Sequence, residues 1–401
     1  MSETLTRAFP DRERPLIRYG LPFTDALAKH LSRGCRAYIL CSGSLAKDTS
    51  YLDVLKHQLD DKIVGVRIGM RSHSFWSEIL EVVGDVKRCG ADYIVTVGAG
   101  SLTDAAKVVS YAIANSVSTL EGLKSLSTSG DSNNLPTKPS DIPIISVPTS
   151  LSGGEYSSFA GATNDADGRK YSFSGSNVKG PTLVILDPEL ATTTPDRVWL
   201  SSGVRAVDHC VEALCSLQSN NDADATARQG LEKLVPGLLR CKDPKDTKSR
   251  LDCFLGSRDA MAAAISGVPM GASHGIGHQL GPAGVGHGET SCILNPAVCK
   301  YNYLKKANVS RQDAIVEILW QLPDAAALFE KRGLKRESAD LGDIMDAIIR
   351  ALGLPRTLSE FGIDEDKLDS VAEHSLHDRA VLTNPARLNK QGILEILRAA
   401  L

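Results

Sequence analysis

The sequence carries almost no net charge, because 45 lysines and arginines offset 48 aspartates and glutamates and leave a balance of −3. It therefore has no strong positive field that would attract nucleic acid or an anionic lipid surface. No run of about 20 apolar residues occurs, so no membrane span is predicted. The polar segment from Met1 to Arg14 lacks the apolar core of a signal peptide, and we expect a cytoplasmic protein.

Paired cysteines are also missing. The nine cysteines are odd in number, and no two of them have Cys-x-x-Cys spacing. This pattern argues against a disulfide framework and against a cysteine-based zinc site. The hydrophobic fraction of 42% is too high for a long disordered chain, and a length of 401 residues suits one large or two moderate domains.

The first half of the chain alternates short apolar runs with helical patterns. Four of the runs are typical of buried strands: Arg36–Cys41, Lys62–Arg67, Tyr93–Val97 and Ile142–Val147. Amphipathic stretches such as Phe75–Cys89 separate them. Strands that alternate with helices predict a doubly wound, mostly parallel sheet with helices on both faces.

Strand signals fade after Val184–Leu186, and helical periodicity fills the rest of the chain. We therefore predict an α/β domain over residues 1–190 and a helical domain over residues 191–401, with functional residues in the cleft between them. The turn at Asn164–Gly168 predicts a hairpin at a sheet edge. The Ser-, Asn- and Pro-rich residues 127–141 predict an exposed loop.

A glycine-rich turn follows the third predicted strand. Gly98, Ala99 and Gly100 are small enough for a ligand to approach the backbone closely. Ser101 with Asp104 three residues later fits a helix N-cap, and the N–H groups at a helix start bind anions. The turn favours a phosphate site. A tight strand-to-helix turn without a ligand explains the pattern equally well, and the spacing is not Gly-x-Gly-x-x-Gly.

A second loop, Pro148–Glu155, follows the fourth predicted strand and is rich in hydroxyls and glycines, including Thr149, Ser150 and Ser152. Two such loops at the carboxyl ends of parallel strands suit a dinucleotide. A solvated loop is the alternative interpretation. The agreement between the two loops favours ligand binding.

Histidines form the third group. His274 and His278 are four residues apart, so they share one face of a helix. His287 lies between two glycines, and His209 lies in a helical pattern. Neutral imidazoles bind metals, and titrating ones transfer protons, so the group predicts either a metal centre or an acid–base site.

Together these segments resemble the iron-containing alcohol dehydrogenase superfamily, which is related to dehydroquinate synthases. The resemblance covers nearly the whole chain. The further matching segments are Lys107 after Asp104, Gly153–Glu155, Lys170, Asp187–Pro188 and Thr383–Ala386. The Pro148–Glu155 loop is one residue shorter than in metal-dependent members, as in the maleylacetate reductase-like branch, which is the closer one.

The resemblance implies an N-terminal dinucleotide-binding α/β domain, a C-terminal helical domain, hydride transfer with NAD(P), and a homodimer. Ser42 stands where the family often has an aspartate that repels the extra phosphate of NADP, so we expect NADPH to be accepted at least as well as NADH. The cofactor-binding residues that the resemblance implies are Ser42, Gly98, Ala99, Gly100, Ser101, Asp104, Thr149, Ser150, Ser152 and Lys170.

The metal site departs from the family pattern. In metal-dependent members, an aspartate and a histidine four residues apart bind the metal together with two later histidines. Here His209, His274 and His287 match the three histidines, but Arg205 replaces the aspartate. His278 matches the additional histidine near the nicotinamide.

Arginine cannot ligate a cation, and at about 5 Å with an effective dielectric near 20 it would repel a divalent ion by roughly 6 to 7 kcal/mol. Asp208, the nearest carboxylate, is turned about 100° around the helix from His209. We therefore doubt that Fe or Zn is held. The alternative is an Arg205 that turns outward and leaves a weak three-histidine site.

These features predict an NAD(P)H-dependent, metal-independent oxidoreductase that reduces an activated double bond or carbonyl of a small carboxylated or enone substrate. Arg205 would hold a carboxylate or an enolate oxygen, and His278 would donate or orient a proton. His209, His274 and His287 complete the candidate catalytic set. A metal-dependent alcohol or aldehyde dehydrogenase is one alternative. A repurposed lyase, dehydratase or cyclase acting on a secondary metabolite is the other.

Overall fold

The computed structural model describes residues 3–128, 136–243 and 245–401, with the side chain of Pro282 excepted. The chain forms two compact units, Met1–Thr194 and Pro195–Leu401. Residues 129–135 of the predicted loop lie outside the described residues. No helix in the described part of the chain is long and apolar enough to cross a membrane.

The first unit is built on a seven-stranded sheet of order β1-β2-β9-β6-β5-β3-β4, in which β1 is antiparallel to β2 and all other pairs are parallel. A separate two-stranded sheet pairs β7 with β8. The strands are β1 Thr4–Arg7, β2 Leu16–Tyr19, β3 Ala37–Cys41, β4 Ile63–Ile68, β5 Tyr93–Gly98, β6 Ile144–Pro148, β7 Ala160–Thr163, β8 Lys170–Phe173 and β9 Leu183–Ile185.

Helices cover both faces of the main sheet, as the alternating pattern predicts. Because successive side chains of a strand point to opposite faces, Leu40 and Ile94 pack in one apolar cluster while Ile39 and Val95 pack in another. The helices of this unit are α1 Phe23–His30, α2 Gly43–Asp48, α3 Tyr51–Leu59, α4 Trp76–Cys89, α5 Gly100–Ala114 and α6 Leu120–Leu126.

Two features of this unit differ from the sequence predictions. The hairpin β7–β8 is not an edge of the main sheet, because Tyr171 and Phe173 on β8 pack against Trp76 of α4 instead. The strands β1 and β2 were not predicted at all. Each strand is only four residues long and mixes polar with apolar residues, so neither forms an apolar run. They pair through their backbones, and Leu5 on β1 is exposed while Ile17 on β2 is buried.

Among its described residues, every regular element of the second unit is a helix, as predicted for the C-terminal half. Its central helix, α7, packs against α8, α9 and α11. Gly230 permits a close approach to α7, since a Cβ there would lie 2.6 Å from Cys210 Sγ. The helices are α7 Asp196–Cys215, α8 Asn221–Arg240, α9 Thr247–Ala264, α10 Ala272–Leu280, α11 His287–Leu304, α12 Val309–Trp320, α13 Pro323–Lys331, α14 Leu341–Leu352, α15 Glu365–Ser375, α16 Arg379–Leu382 and α17 Lys390–Ala399.

Candidate active site

In the first unit, the loops that follow β3, β5 and β6 lie side by side at the carboxyl ends of parallel strands. The Ser42 N–H donates to the Val97 carbonyl at 2.9 Å, and the Thr149 N–H donates to the Gly98 carbonyl at 3.0 Å. Each loop therefore holds the backbone of its neighbour. This edge of an open parallel sheet is where such folds bind nucleotides.

The turn after β5 is closely packed around its glycines. A Cβ on Gly98 would lie 2.6 Å from Leu102 Cδ1, and one on Gly100 would lie 3.0 Å from Ser152 Cβ. Helix α5 begins at Gly100 with Ala99 as its N-cap, and no side chain caps it. The prediction that Ser101 is the N-cap is therefore wrong, because the chain turns at Gly98 and enters the helix at once. The N–H groups of the first turn suit an anion.

A buried lysine ties the second loop to α5. Lys107 Nζ donates to the carbonyl oxygens of Gly154 at 2.6 Å and Phe159 at 2.7 Å, and it pairs with Asp104 at 3.2 Å. Asp104 also accepts from the Gly161 N–H at 3.2 Å. These contacts show that Asp104 helps to hold the second loop and the hairpin against α5. Its role in binding the cofactor remains a prediction.

The remaining predicted cofactor residues line the same loops or the hairpin. Ser150 Oγ contacts Ser152 Oγ at 3.4 Å, and Ser42 Oγ accepts from the Leu45 N–H at 3.2 Å. Lys170 pairs with Thr163 in the hairpin, and its side chain lies over Gly161, where a Cβ would collide with it. All ten predicted cofactor residues thus belong to these loops, to the start of α5, or to β8.

Glu155 ends the second loop with a carboxyl group that is 1% exposed, and neither oxygen has a hydrogen-bond partner among the described residues. Burial raises its pKa to about 7, against the opposing effects of its own backbone N–H and of Lys107. An acid in this position is protonated over much of the pH range in which most carboxyl groups are ionised.

Replacing Glu155 with glutamine is expected to stabilise the protein above pH 7 and to have little effect below pH 4.5. An acid with a raised folded-state pKa loses stability as the pH climbs from the ordinary value of 4.5 to about 7, since the unfolded chain ionises first. A shift of this size corresponds to about 3 kcal/mol. Urea unfolding on both sides of this pH window measures the effect. Exposed Glu121→Gln on α6 is the control, and a difference that does not vary with pH would contradict the assignment.

In the second unit, three helices bring the predicted histidines and Arg205 together. Helix α7 contributes Arg205 and His209, α10 contributes His274 and His278, and α11 begins at His287. The His209 and His274 rings are 5.0 Å apart, and the His274 and His278 rings are 5.4 Å apart at 89°. Arg205 and the histidines that were grouped from the sequence therefore lie close together in the structure.

The Arg205 guanidinium points into this cluster. One terminal nitrogen bonds His274 Nε2 at 2.8 Å, and the other donates to Ser291 Oγ at 3.2 Å. Arg205 therefore does not turn outward, as the alternative with a weak three-histidine metal site requires. No carboxylate oxygen of the described residues lies within 4.0 Å of its nitrogens. Burial lowers the pKa of Arg205, while the charges of Asp208 and Glu212 oppose this effect.

Asp208 is fully buried on the same side of α7 as Arg205. Its Oδ2 accepts from Ser273 at 2.9 Å and from Ser291 at 2.6 Å, and its Oδ1 accepts from the Asn295 amide at 2.6 Å. Burial raises the pKa of Asp208, and these three donors and Arg205 oppose the rise. Asp208 is offset from His209 around α7, as expected, but residues of α10 and α11 contact this face of α7 and bring Asp208 into the same group.

His274 is held between the Arg205 cation and the carboxyl group of Glu212, whose pKa burial raises to about 8. Arginine can only donate, so His274 Nε2 accepts from Arg205, and the neutral ring must carry its proton on Nδ1. That nitrogen faces Glu212 Oε2 at 3.6 Å, while Glu212 Oε1 accepts from the Ser273 N–H at 2.9 Å. Burial and Arg205 hold the pKa of His274 well below its ordinary value. They lower that of His209 to about 3.

The family's metal does not fit this donor set. Three ligand atoms, from Asp208, Glu212 and His274, lie within 4.8 Å of one another, which is one geometric requirement for a metal. However, Arg205 occupies the Nε2 lone pair of His274, and Nδ1 carries the proton. His274 then has no lone pair left for a cation, and the nearby guanidinium would repel one.

His278 is the most exposed histidine of the cluster and has a partner that the sequence did not reveal. Its Nδ1 lies 2.9 Å from Asp378 Oδ2. The residues that hold Arg205 and Asp208 were also missed, namely Ser273, Ser291 and Asn295. Hydroxyl and amide residues of this kind are common on helices, so only the packing of α10 and α11 against α7 identifies them.

Comparison with known proteins agrees with this architecture. Residues 17–188 match the family described as iron-containing alcohol dehydrogenase, and residues 199–401 match the C-terminal part of the Fe-containing alcohol dehydrogenase family. Dehydrogenase ALT3 of Alternaria alternata is 39% identical over 383 residues, which cover 91% of this chain and 98% of that protein. Dehydrogenase FUM7 of Gibberella moniliformis is 38% identical over 412 residues, 96% of each.

Among solved structures, the maleylacetate reductase from Rhizobium sp. strain MTP-10005 has a TM-score of 0.74 at 24% identity, and the match covers 96% of this chain and 95% of that one. At this level of identity the similarity shows a shared fold.

Proposed function

The chain belongs to the iron-containing alcohol dehydrogenase family, whose members are oxidoreductases, and from this premise we propose that it is an NAD(P)H-dependent reductase that works without a metal. The observation that carries the proposal is the Arg205–His274 hydrogen bond, which takes the place of a metal–ligand bond. Two dehydrogenase relatives and a maleylacetate reductase of the same fold support an oxidoreductase.

The first unit would hold the dinucleotide. The close packing around Gly98 and Gly100 leaves backbone rather than side chains facing the loop edge, and the uncapped first turn of α5 offers N–H donors for the pyrophosphate. Lys170 adds a positive charge for a phosphate, and Ser42 leaves room for the extra phosphate of NADPH. When bound, NAD(P)H supplies a hydride.

The second unit would supply the charge and the proton. We propose that the hydride adds to an electron-poor carbon of an activated C=C or C=O bond, and that the displaced electron pair moves to the conjugated oxygen. Arg205 then stabilises the enolate or alkoxide, or holds a substrate carboxylate. His278 gives its proton to the resulting anion, and solvent reprotonates the histidine. Ser291 and His274 keep the guanidinium in one orientation.

An NAD(P)H oxidation assay tests this proposal directly. We expect an α,β-unsaturated keto acid to be reduced, its neutral methyl ester to react poorly, and EDTA to leave the rate unchanged. Elemental analysis of the same sample should find well below one equivalent of iron or zinc. A stoichiometric metal, together with loss of activity in chelator, would contradict metal independence.

The second candidate is a metal-dependent alcohol dehydrogenase, which the closely spaced ligand atoms of Asp208, Glu212 and His274 favour. It requires Arg205 to leave His274. Activation of aldehyde reduction by added Fe or Zn would favour this candidate. Binding of NAD(P)H without any reduction would favour a repurposed enzyme.

A further inference from the structure

His278 and Asp378 are brought together from positions 100 residues apart. His278 lies in the last turn of α10, and Asp378 precedes α16 as its N-cap. The histidine side chain is 43% exposed, whereas the aspartate side chain is only 16% exposed. The imidazole is therefore open to a ligand on one side and anchored by a half-buried carboxylate on the other.

The carboxylate is itself fixed by two independent contacts. Oδ1 accepts from the Ala380 N–H at 2.9 Å, which leaves Oδ2 for His278. Gly275 of α10 permits this arrangement, because a Cβ there would lie 2.8 Å from the Val381 N and 3.0 Å from Asp378 Oδ1. The segment before α16 can lie against α10 only because residue 275 has no side chain.

The chemistry of the pair selects one tautomer. Burial opposes ionisation of Asp378, but the hydrogen bond from His278 and its charge hold the pKa of the aspartate below its ordinary value. An ionised carboxylate only accepts, so neutral His278 must carry its proton on Nδ1. Its Nε2 then lies on the side of the ring away from Asp378.

We propose that Asp378 is a positioning residue that fixes the Nδ1–H tautomer of His278 and directs Nε2 to the substrate; this inference rests on the proposed reductase function. The protonated ring donates its Nε2 proton to the substrate anion and returns to the neutral Nδ1–H form. Asp378 keeps its charge throughout and stabilises the imidazolium before the transfer. Without Asp378, the ring samples both tautomers and both ring orientations.

The Asp378→Asn variant separates this role from a purely structural one. Its amide oxygen can still cap α16, but its NH₂ group would face His278 and force Nδ1 to accept, which moves the proton to Nε2. We expect kcat to fall by about 10²- to 10⁴-fold, with the KM for NAD(P)H and the melting temperature nearly unchanged. Asp378→Ser keeps a capping oxygen and leaves the tautomers mixed, so its kcat should fall less.

Asp340 provides the matched control, since its carboxylate also caps a helix, α14, by accepting from the Asp343 N–H at 2.9 Å, but in the described part of the chain it contacts no histidine of the site. Asp340→Asn should lower only the melting temperature. If Asp378→Asn behaves like this control, Asp378 is merely a helix cap and the proposal is wrong.

¹⁵N NMR of the histidine side chains tests the inference without turnover, with the His278 signals assigned from their loss in His278→Gln. The wild type should show Nδ1–H at His278, and Asp378→Asn should show Nε2–H. An Nε2–H tautomer in the wild type would overturn the proposal. The tautomers could behave as expected while no substrate is reduced. That result would contradict the proposed function but would still support the role of Asp378 in setting the tautomer of His278.

Discussion

The Gly100→Val variant is expected to lose NAD(P)H binding, because the valine side chain would fill the space that the pyrophosphate needs at the start of α5. A Cβ at this position would also lie 3.0 Å from Ser152 Cβ and closer still to its hydroxyl. The substitution therefore acts on both glycine-rich loops at once. Fluorescence titration with NADH and NADPH measures the loss, and an unchanged affinity would refute the cofactor assignment.

Two control variants distinguish the loss of space for the cofactor from a disturbance of the protein around residue 100. Gly84→Val on α4 introduces the same side chain where no atom lies within 4 Å of the new Cβ, so cofactor affinity should not change. Gly100→Ala in a Ser152→Gly background removes the collision within the protein. If this double variant still binds much more weakly than Ser152→Gly alone, the ligand itself needs the space at residue 100.

The Arg205→Met variant is expected to lose about 2 to 4 kcal/mol of transition-state stabilisation in kcat/KM. Methionine preserves much of the volume but removes the donors to His274 and Ser291 and the guanidinium charge proposed to stabilise the substrate oxygen. The Asp208 carboxylate keeps its bonds to Ser273, Ser291 and Asn295, so the fold should survive. Steady-state kinetics with the substrate of the wild type provide the measurement.

Arg311→Met is the matched control, because Arg311 binds Asp224 and the Leu214 carbonyl outside the histidine cluster. It should lower the melting temperature slightly and leave kcat/KM unchanged. If Arg205→Met gives the same result, Arg205 is structural and the mechanism is wrong. Arg205→Asp restores the family's ligand, and we expect it to raise the iron or zinc content of the purified protein.

Local sequence patterns predicted the class of the fold and the position of the two loops proposed to bind the cofactor. A strand such as Tyr93–Gly98 is a short apolar run ended by glycine, and that signal needs no distant partner. The strands β1 and β2 were missed for the complementary reason. Each is only four residues long with no continuous apolar run, and their structure depends on pairing between β1 and β2 and between β2 and the distant β9. The hairpin at β7 and β8 was predicted, but its packing on Trp76 was not.

The histidine spacing and the family resemblance predicted Arg205 and the histidines as candidate site residues, whereas Ser273, Ser291, Asn295 and Asp378 were missed. Only the tertiary structure decided what these groups do to one another. Arg205 and His274 are 69 residues apart, and His278 and Asp378 are 100 apart. Their hydrogen bonds exist because α11 packs against both α7 and α10, and because α10 packs against α16. The tautomer of a histidine depends on the group that faces each ring nitrogen. In this site that group is brought there by helix packing rather than by neighbours in the chain, so the sequence alone could not determine where the histidine protons lie.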